Sequence, residues 1–582
     1  MSEIFFAYSN VDDIREAYFD IEDYVLYENE DIIIGGDRKN FAQNDDFVIV
    51  TVGNIFNIHE FGCDVENKKD ADIILELLKN EEIDVYCRDF SGCFCIFIYD
   101  KENKLWKIIT DIFGNYCPYY FLDDDEFIVS MNFYDFHKSF FDIDTMNFAE
   151  TIKYNGDPYK TVLAGVKKMQ EGSILYWPAR EQEIYIDLYE ELEEGYTNKI
   201  DITFEEAVDK IENILVKTIY NSIRLYGPET VNSGVLVNNN IGSLILIALL
   251  NYYKITPYLY SFRYPIQEKL PEITARKAKT IDSNCKKTFD KNLEVLNLKE
   301  QYDFVYDYEK IDSYFSSELS FPTFSPPAMQ ALFLNNEINE QMQKDDISLL
   351  FTQDASDEIF LHKMEYYIIN KLSKNKEIEI HELKMDEIKE IAGEVMAKPS
   401  FYSSGLIEDN SFTKHGHIDD FIDFILKSSA DIEKKSTESS NFIFNEIKRI
   451  SIYKNHKLWK FILSLPDSVL EENMLDASLL KALFKKHTNK KVNNIRRYPS
   501  WNTFHPQIVL DKKSKEYIKI LNRIPFTEIA ESELLDAISF FYKCNVYKNF
   551  LWSIDDNQIL DEASSKVLKV IMLYKWLKHW RG

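Results

Sequence analysis

Two stretches of this chain concentrate residue types that could handle a phosphorylated ligand. In the first, Val235, Leu236 and Val237 make the short apolar run of a buried parallel strand. Asn238, Asn239, Asn240, Ile241, Gly242 and Ser243 follow as a small polar turn, and residues 244–250 continue apolar, which predicts a buried helix. Strand, tight turn and helix together present backbone N–H groups at a helix N-terminus, where they can cradle a phosphate. In the second, residues 347–360 carry Asp354, Ser356, Asp357 and Glu358 in an acidic loop that opens a helix. Such a loop can hold Mg²⁺ bridging ATP phosphates, and the same residues can equally be a helix cap. Far downstream, Arg496 and Arg497 can neutralise phosphate but cannot exchange protons near neutral pH. Lys490 and Lys491 are alternative cations, or simply part of a solvated basic loop.

The rest of the composition bounds what these groups can serve. A chain of 582 residues, 45% hydrophobic and 14% aromatic, can build several cored domains. Its net charge of −31 argues against nucleic acid or an anionic membrane as partner and leaves room for a basic ligand or peptide. Cys63, Cys87, Cys93, Cys95, Cys117, Cys285 and Cys544 show no C-x-x-C pair and no zinc spacing, so they read as reduced core thiols. His415 and His417 lack the carboxylate spacing of a metal site. No signal peptide and no membrane-length apolar run is evident, so a cytoplasmic location is expected.

Two kinds of region must position these groups. Up to about residue 190, short β-type runs at 32–34, 47–52, 93–99 and 105–110 predict stacked antiparallel sheets, with a hairpin turn at 100–104 and an amphipathic helix over 70–79. A charged, Gly-containing stretch, residues 189–198, marks the domain boundary. Beyond it, apolar spacing at Ala207, Ile211, Ile214, Leu215 and Ile219 predicts a helix, and residues 257–262 a second strand after the central one. That alternation predicts a parallel sheet with ligands at its strand C-termini. Pro322, Pro326 and Pro327 feed a helix over 328–338, residues 428–440 read as exposed, and from about 445 the chain reads as helical, closing with residues 565–580.

Four motifs in order give the N-terminal region a resemblance. Gly53-Asn54-Ile55-Phe56-Asn57 resembles the Asn-Gly-Glu-Ile-Tyr-Asn strand-turn of class II glutamine amidotransferase domains. Residues 90–100 resemble their Asp-Gly-x-Phe-Ala-Phe-x-x-Tyr-Asp, residues 111–120 their Asp-x-x-Gly-x-x-Pro-Leu-Tyr-Tyr, and residues 165–172 the Gly-Ile-x-x-Leu-Pro-Pro-Gly run that closes such domains. The chemistry of that family is missing. Its nucleophile is an N-terminal cysteine, and here Ser2 stands there; its oxyanion asparagine is replaced by Val52. Asp70 falls near the family's substrate-amine aspartate but reads more simply as a solvated acid at a helix start. The domain is thus expected to lack glutaminase activity and to serve as a structural relic, or to recognise a peptide.

The C-terminal region resembles the asparagine synthetase superfamily, in the lasso-peptide cyclase and β-lactam synthetase branch. The loop at 238–244 stands where that superfamily carries Ser-Gly-Gly-x-Asp-Ser-Ser, so both glycines and the metal-binding aspartate are gone. Ser261 and Phe262 match its Ser-Phe at the adenine edge, residues 272–279 its Glu-x-x-x-Ala-x-x-x-Ala helix, and residues 347–360 its Leu-Ser-Gly-Glu-Gly-Ala-Asp-Glu-Leu-Phe. Residues 456–466 and 479–484 match two later helices. The resemblance implies an Ntn-type αββα sandwich over 1–190, then an α/β domain of the PP-loop, adenine nucleotide α-hydrolase type with a helical C-terminus over 200–582. It implies ATP and Mg²⁺ as cofactors, with Asp357 on the metal, Asp354 and Glu358 catalytic, and Arg497 or Lys491 in the place of the catalytic lysine. Asn238, Asn239, Asn240, Gly242, Ser243, Ser261 and Phe262 would contact the nucleotide. The implied function is an ATP-dependent ligase or cyclase that adenylates a peptide or amino-acid carboxylate for attack by an amine. The alternative, motivated by the altered loop, is a catalytically dead binding or scaffold subunit in peptide modification.

Overall fold

The computed structural model describes residues 4–8, 25–29, 32–36, 38–65, 68–123, 126–131, 133, 136, 144, 159–179, 183–189, 199–224, 231–237, 240–263, 286–305, 337–354, 356–361, 447–466, 468–469 and 477–492. Two antiparallel sheets form the N-terminal half. One contains β1 (Ile4–Tyr8), β2 (Val25–Glu28), β3 (Ile32–Gly36), β8 (Tyr119–Leu122), β9 (Phe127–Ser130) and β10 (Lys167–Lys168), in the order β10-β8-β9-β1-β3-β2. The other contains β4 (Phe41–Gln43), β5 (Phe47–Ile55), β6 (Gly92–Asp100), β7 (Leu105–Thr110), β11 (Ser173–Pro178) and β12 (Tyr185–Leu188), in the order β12-β11-β7-β6-β5-β4. Alternation separates their faces: Val48, Val50 and Val52 join Phe97, Phe127 and Trp177 between the sheets, while Ile49, Ile96 and Ile98 turn outward. The outward set is covered by Ile73, Ile74 and Leu77 of helix α1 (Asp70–Leu77), with α2 (Asp84–Cys87) beside it. Gly53 lies in this sheet at φ +78°, and a Cβ there would come within 2.7 Å of the Tyr116 ring, so the strand tolerates only glycine.

The second half is built on a parallel sheet of β13 (Ser233–Val237), β14 (Tyr258–Arg263), β15 (Gln301–Val305), β16 (Leu349–Thr352) and β17 (Lys448–Ser451), in the order β15-β14-β13-β16-β17. Helix α3 (Phe204–Ile223) begins with a capping box in which the Glu206 N–H donates to Thr203 Oγ1 (3.3 Å) and the Thr203 N–H to Glu206 Oε2 (2.9 Å). Helix α4 (Ile241–Tyr252) is apolar all round and buried from Ile241 to Leu250, as a helix enclosed on every side must be. α8 (Ser478–Thr488) and α3 pack on it, and this half also holds α5 (Asn339–Lys344), α6 (Ser356–Leu361) and α7 (His456–Ser464). The mixed α/β architecture expected from the sequence is therefore present, antiparallel sandwich first and parallel sheet second.

Two expectations need correction. Residues 448–451 are a strand, not helix: Ile450 and Ile452 are buried while Arg449 remains partly exposed, and β17 pairs in parallel with β16. A four-residue strand at the end of a sheet is too short to announce itself by alternation. Asp70 is not solvated. It is only 7% exposed; it accepts the Ile55 N–H (2.9 Å) and an ion pair from Arg224, whose own side chain is 6% exposed. The boundary stretch 190–198, the helix over 328–336, His415, His417, residues 428–440, Cys285, Cys544 and the closing helix lie outside the described residues. Cys63, Cys87, Cys93, Cys95 and Cys117 are free thiols. Among the described residues, no helix is long and apolar enough to cross a membrane.

The halves share one apolar cluster. Phe56, Cys93, Ile112 and Phe113 of the sandwich pack with residues of α3, α4, α7 and the parallel sheet, and the Phe113 and Trp459 rings lie 5.2 Å apart. Polar contacts fix the register: Ser91 Oγ donates to Asn455 Oδ1 (2.8 Å), and Asn455 Nδ2 donates to Thr218 Oγ1 (2.7 Å). Arg224→Ala would leave Asp70 buried without its cation, a loss of about 3–5 kcal/mol for a broken buried pair. Urea unfolding of that variant should show a drop of this size; a change below about 1 kcal/mol would mean that water solvates Asp70 once Arg224 is gone.

Candidate functional site

The candidate site lies where β13 and β16 end and α4 and α6 begin, the position at which open parallel sheets bind ligands. Asn240 is the N-cap of α4, extended at φ −107°, ψ 172°. Its Oδ1 accepts both the Ser243 N–H and the Ser243 hydroxyl, each at 2.9 Å, so one helix-terminal donor is satisfied from inside the chain. Its Nδ2 donates to Ser356 Oγ at 3.4 Å across the gap to α6. Gly242 lies against the same serine: a Cβ at position 242 would fall 2.6 Å from Ser356 Cβ, closer than side chains approach. Tyr453 closes the turn from behind, donating its hydroxyl to the Gly242 carbonyl at 2.8 Å.

Asp354 follows β16 directly. Its carboxylate accepts the Thr352 hydroxyl (2.7 Å) and an ion pair from Arg449 on β17, and its carbonyl accepts the Ser451 hydroxyl (2.9 Å). Burial alone would raise this carboxyl, but the charges of Arg449 and Lys454 and the Thr352 hydroxyl hold it below the usual carboxylate range. Lys454 is itself buried, and its charge also reaches Asp111 in the sandwich. Asp111 receives the N–H groups of Phe94 (3.2 Å), Phe113 (2.9 Å) and Asn115 (3.0 Å) and the Asn115 amide (2.8 Å). Its burial nevertheless pushes the carboxyl up to about 6, against those donors and the Lys454 charge.

The structure sets Asn240, Gly242 and Ser243 against Ser356 at the start of α6, and places Asp354 just past the end of β16, the strand beside β13. Asp357 and Glu358 lie in helix α6, next to Ser356 in the chain. Ser261 and Phe262 stand on β14, but the Ser261 hydroxyl donates to the Tyr302 carbonyl (3.0 Å) and to Asp303 (3.1 Å), so it ties β14 to β15. Lys490 and Lys491 are exposed just past the end of α8. Asn238, Asn239, Arg496 and Arg497 lie outside the described residues, as does Ser2. Sequence reasoning missed Arg449, Lys454 and Arg224, and it did not foresee that Ser356 of the acidic loop meets Gly242. Only Arg449 left a local trace, in the Lys448-Arg449 pair between Ile447 and the alternating Ile450 and Ile452.

Magnesium and ATP are the groups this resemblance implies; the Asp357 and Glu358 side chains assigned to them lie outside what the structure describes, and the described side chains around Gly242 and Asp354 do not by themselves complete a fit. Position 242 offers no carboxylate, the space for one is held by Ser356, and Asp354 is already matched by Arg449. Among the described residues no group of three or more His, Cys, Asp or Glu side chains could hold a metal ion.

Comparison with known proteins bears on the sandwich. Residues 35–189 match the glutamine amidotransferase domain family. That match spans about a quarter of the chain, and it contains β5, β6, β7 and Asp111. No curated protein matches. Among solved structures, a glutamine phosphoribosylpyrophosphate amidotransferase from B. subtilis, complexed with ADP and GMP, is 8% identical over 52% of this chain and 85% of its own, with a TM-score of 0.23. A structure described as the allosteric regulatory enzyme of purine biosynthesis is 10% identical over 52% and 74%, with a TM-score of 0.22. An NMN synthetase from Francisella tularensis is 14% identical over 28% and 60%, with a TM-score of 0.18. At such scores these three likenesses carry no weight beyond the family match.

Two measurements probe the site. Gly242→Asp should destabilise by about 1–3 kcal/mol through overpacking, and Ser356→Gly in the same chain should recover most of that loss. Additive losses in the double variant would mean that the two positions do not touch. A second test concerns Asp111. A carboxyl whose folded value is raised favours the folded state below the unfolded value of about 4, and that advantage is lost as pH rises to about 6. The stability of wild type relative to Asp111→Asn should therefore fall by about 3 kcal/mol between about pH 4 and pH 7 in denaturant titrations. A flat difference would show that its four donors keep Asp111 ionised throughout.

Proposed function

We propose that this chain is an asparagine-synthetase-like protein that keeps the framework of an amide-forming enzyme and acts as a non-catalytic binding subunit in peptide modification. The observation that carries this reading is Ser356 lying in the space that a side chain at Gly242 would need. In the superfamily that this loop resembles, a metal-binding aspartate stands there. Two further features support it. Asn240 caps α4 from within, at the turn that would receive pyrophosphate. In the sandwich, the carboxylate nearest the place of the substrate-amine aspartate, Asp70, is held by Arg224 from the other half, and Ser2 replaces the nucleophilic cysteine. On this reading ATP and Mg²⁺ are not ligands, and the partners are a peptide and the proteins that modify it. The family match over 35–189 carries the coarser part, an amidotransferase-type fold.

A second reading, an ATP-dependent carboxylate–amine ligase or peptide cyclase, is favoured by one feature. An ionised Asp354 with Arg449 and Lys454 beside it, next to the helix carrying Asp357 and Glu358, keeps charge at the strand ends. Isothermal titration with Mg·ATP separates the two. No heat is expected up to millimolar nucleotide, and micromolar binding would overturn the binding-subunit reading. Pyrophosphate release with a precursor peptide, lost in Asp357→Ala, would establish the ligase instead.

A further inference from the structure

The last strand of the second sandwich sheet, β12, is exposed along its whole length. Among the described residues only β11 pairs with it, in the register Ile186↔Leu175 and Leu188↔Ser173. Sheet edges are normally guarded by lysine, proline, a bulge or a covering helix, because their backbone groups template another strand. β12 carries neither lysine nor proline, and its pairing with β11 runs without a bulge. It presents Ile186 and Leu188 at 40% and 46% exposure, far above what a covered edge of this composition would show.

The two faces of this edge differ in chemistry. Ile184 packs into the core between the sheets, so Ile186 and Leu188 share that apolar side. Glu183 and Asp187 share the other side, where the Tyr185 hydroxyl donates to Glu183 (3.0 Å). Asp84 is matched by Lys107 (3.2 Å), which also lies over the Tyr176 ring, so Glu183 and Asp187 supply the acidity of this side. A second copy of the same edge would set acid against acid in a chain of net charge −31.

We infer that the outer edge of β12 takes up an extended peptide segment in which basic and apolar residues alternate. The segment adds as a further strand: its backbone bonds to β12, its basic side chains face Glu183 and Asp187, and its apolar side chains lie on Ile186 and Leu188. This surface belongs to the sandwich and does not depend on whether the parallel-sheet half binds nucleotide.

The test uses the full chain and an octapeptide of alternating lysine and valine, followed by fluorescence anisotropy and by hydrogen exchange at Ile186 and Leu188, whose amides alternate away from β11. Binding with new protection at those amides is expected. Alternating glutamate and valine, or the same lysines and valines in two blocks, should bind at least about tenfold more weakly, since like charges or a broken alternation remove one face. Glu183→Lys with Asp187→Lys should exchange the preference of the two alternating peptides. If that variant does not fold by circular dichroism, Asp187→Asn should weaken lysine–valine binding alone. Equal affinity for all three peptides, binding without protection at Ile186 and Leu188, or those two amides already protected in the free monomer would overturn the proposal. So would self-association that Ile186→Lys abolishes, because the occupant would then be a second copy.

Discussion

A carboxylate taken out of water must meet a cation or several hydrogen-bond donors, and that requirement organises the centre of this molecule. Asp70 meets Arg224, Asp354 meets Arg449, and Asp111 collects four donors within the field of Lys454. Asp70 and Arg224 belong to different halves of the chain, as do Asp111 and Lys454. Apolar contact through Phe56, Cys93, Ile112 and Phe113 supplies much of the area between the halves, but such contact is non-directional. The charged groups are directional, so they fix one relative placement among the many that would bury the same surface. Asn455 adds to this, because one side chain caps α7 through the Leu458 N–H and also reaches Ser91 and Thr218.

The same pairings bear on what the molecule can do. A polar group that is satisfied by its own chain gives up a hydrogen bond before it can receive a ligand, so a self-matched site binds less tightly than an open one. Asn240 on Ser243, Arg449 on Asp354 and Arg224 on Asp70 are three separate instances. They lie in both halves, and each involves a residue or loop that resembles part of a reacting site elsewhere. One such match would be a local accident. All three use groups of this chain to satisfy one another, so each doubles as a structural joint.

Much of the framework was legible in the sequence, because alternation and helical spacing report a single element and the face it buries. The runs at 47–52 and 93–99 became β5 and β6, and the apolar stretch after Asn240 became α4. What stayed hidden was pairing over long separations. Nothing local ties Arg224 to Asp70, or Ser356 to Gly242, since these meetings follow from how the strands are ordered. β17 was missed for a related reason: its identity as a strand comes from β16 beside it, not from its own four residues. Asp70 was misread because an acid at a helix start is usually solvated, and only the second half of the chain buries it.

Gly242 shows why the candidate site has to be read as a pair of positions. In sequence the position looks like a loss, an aspartate replaced by glycine. In three dimensions it is also a gain, since Ser356 occupies the space beside the missing Cβ and Asn240 points its amide at that serine. A carboxylate could return to position 242 only if Ser356 also shrank or α6 withdrew. α6 is held in turn by Ile359 and Phe360 in the buried core and by the Phe360–Tyr453 ring contact. Tyr453 itself donates to the Gly242 carbonyl, so the residues that would have to move are fastened to the very turn they block. The steric closure and the hydrogen bonds therefore reinforce each other, and a carboxylate at position 242 needs a matching change at Ser356.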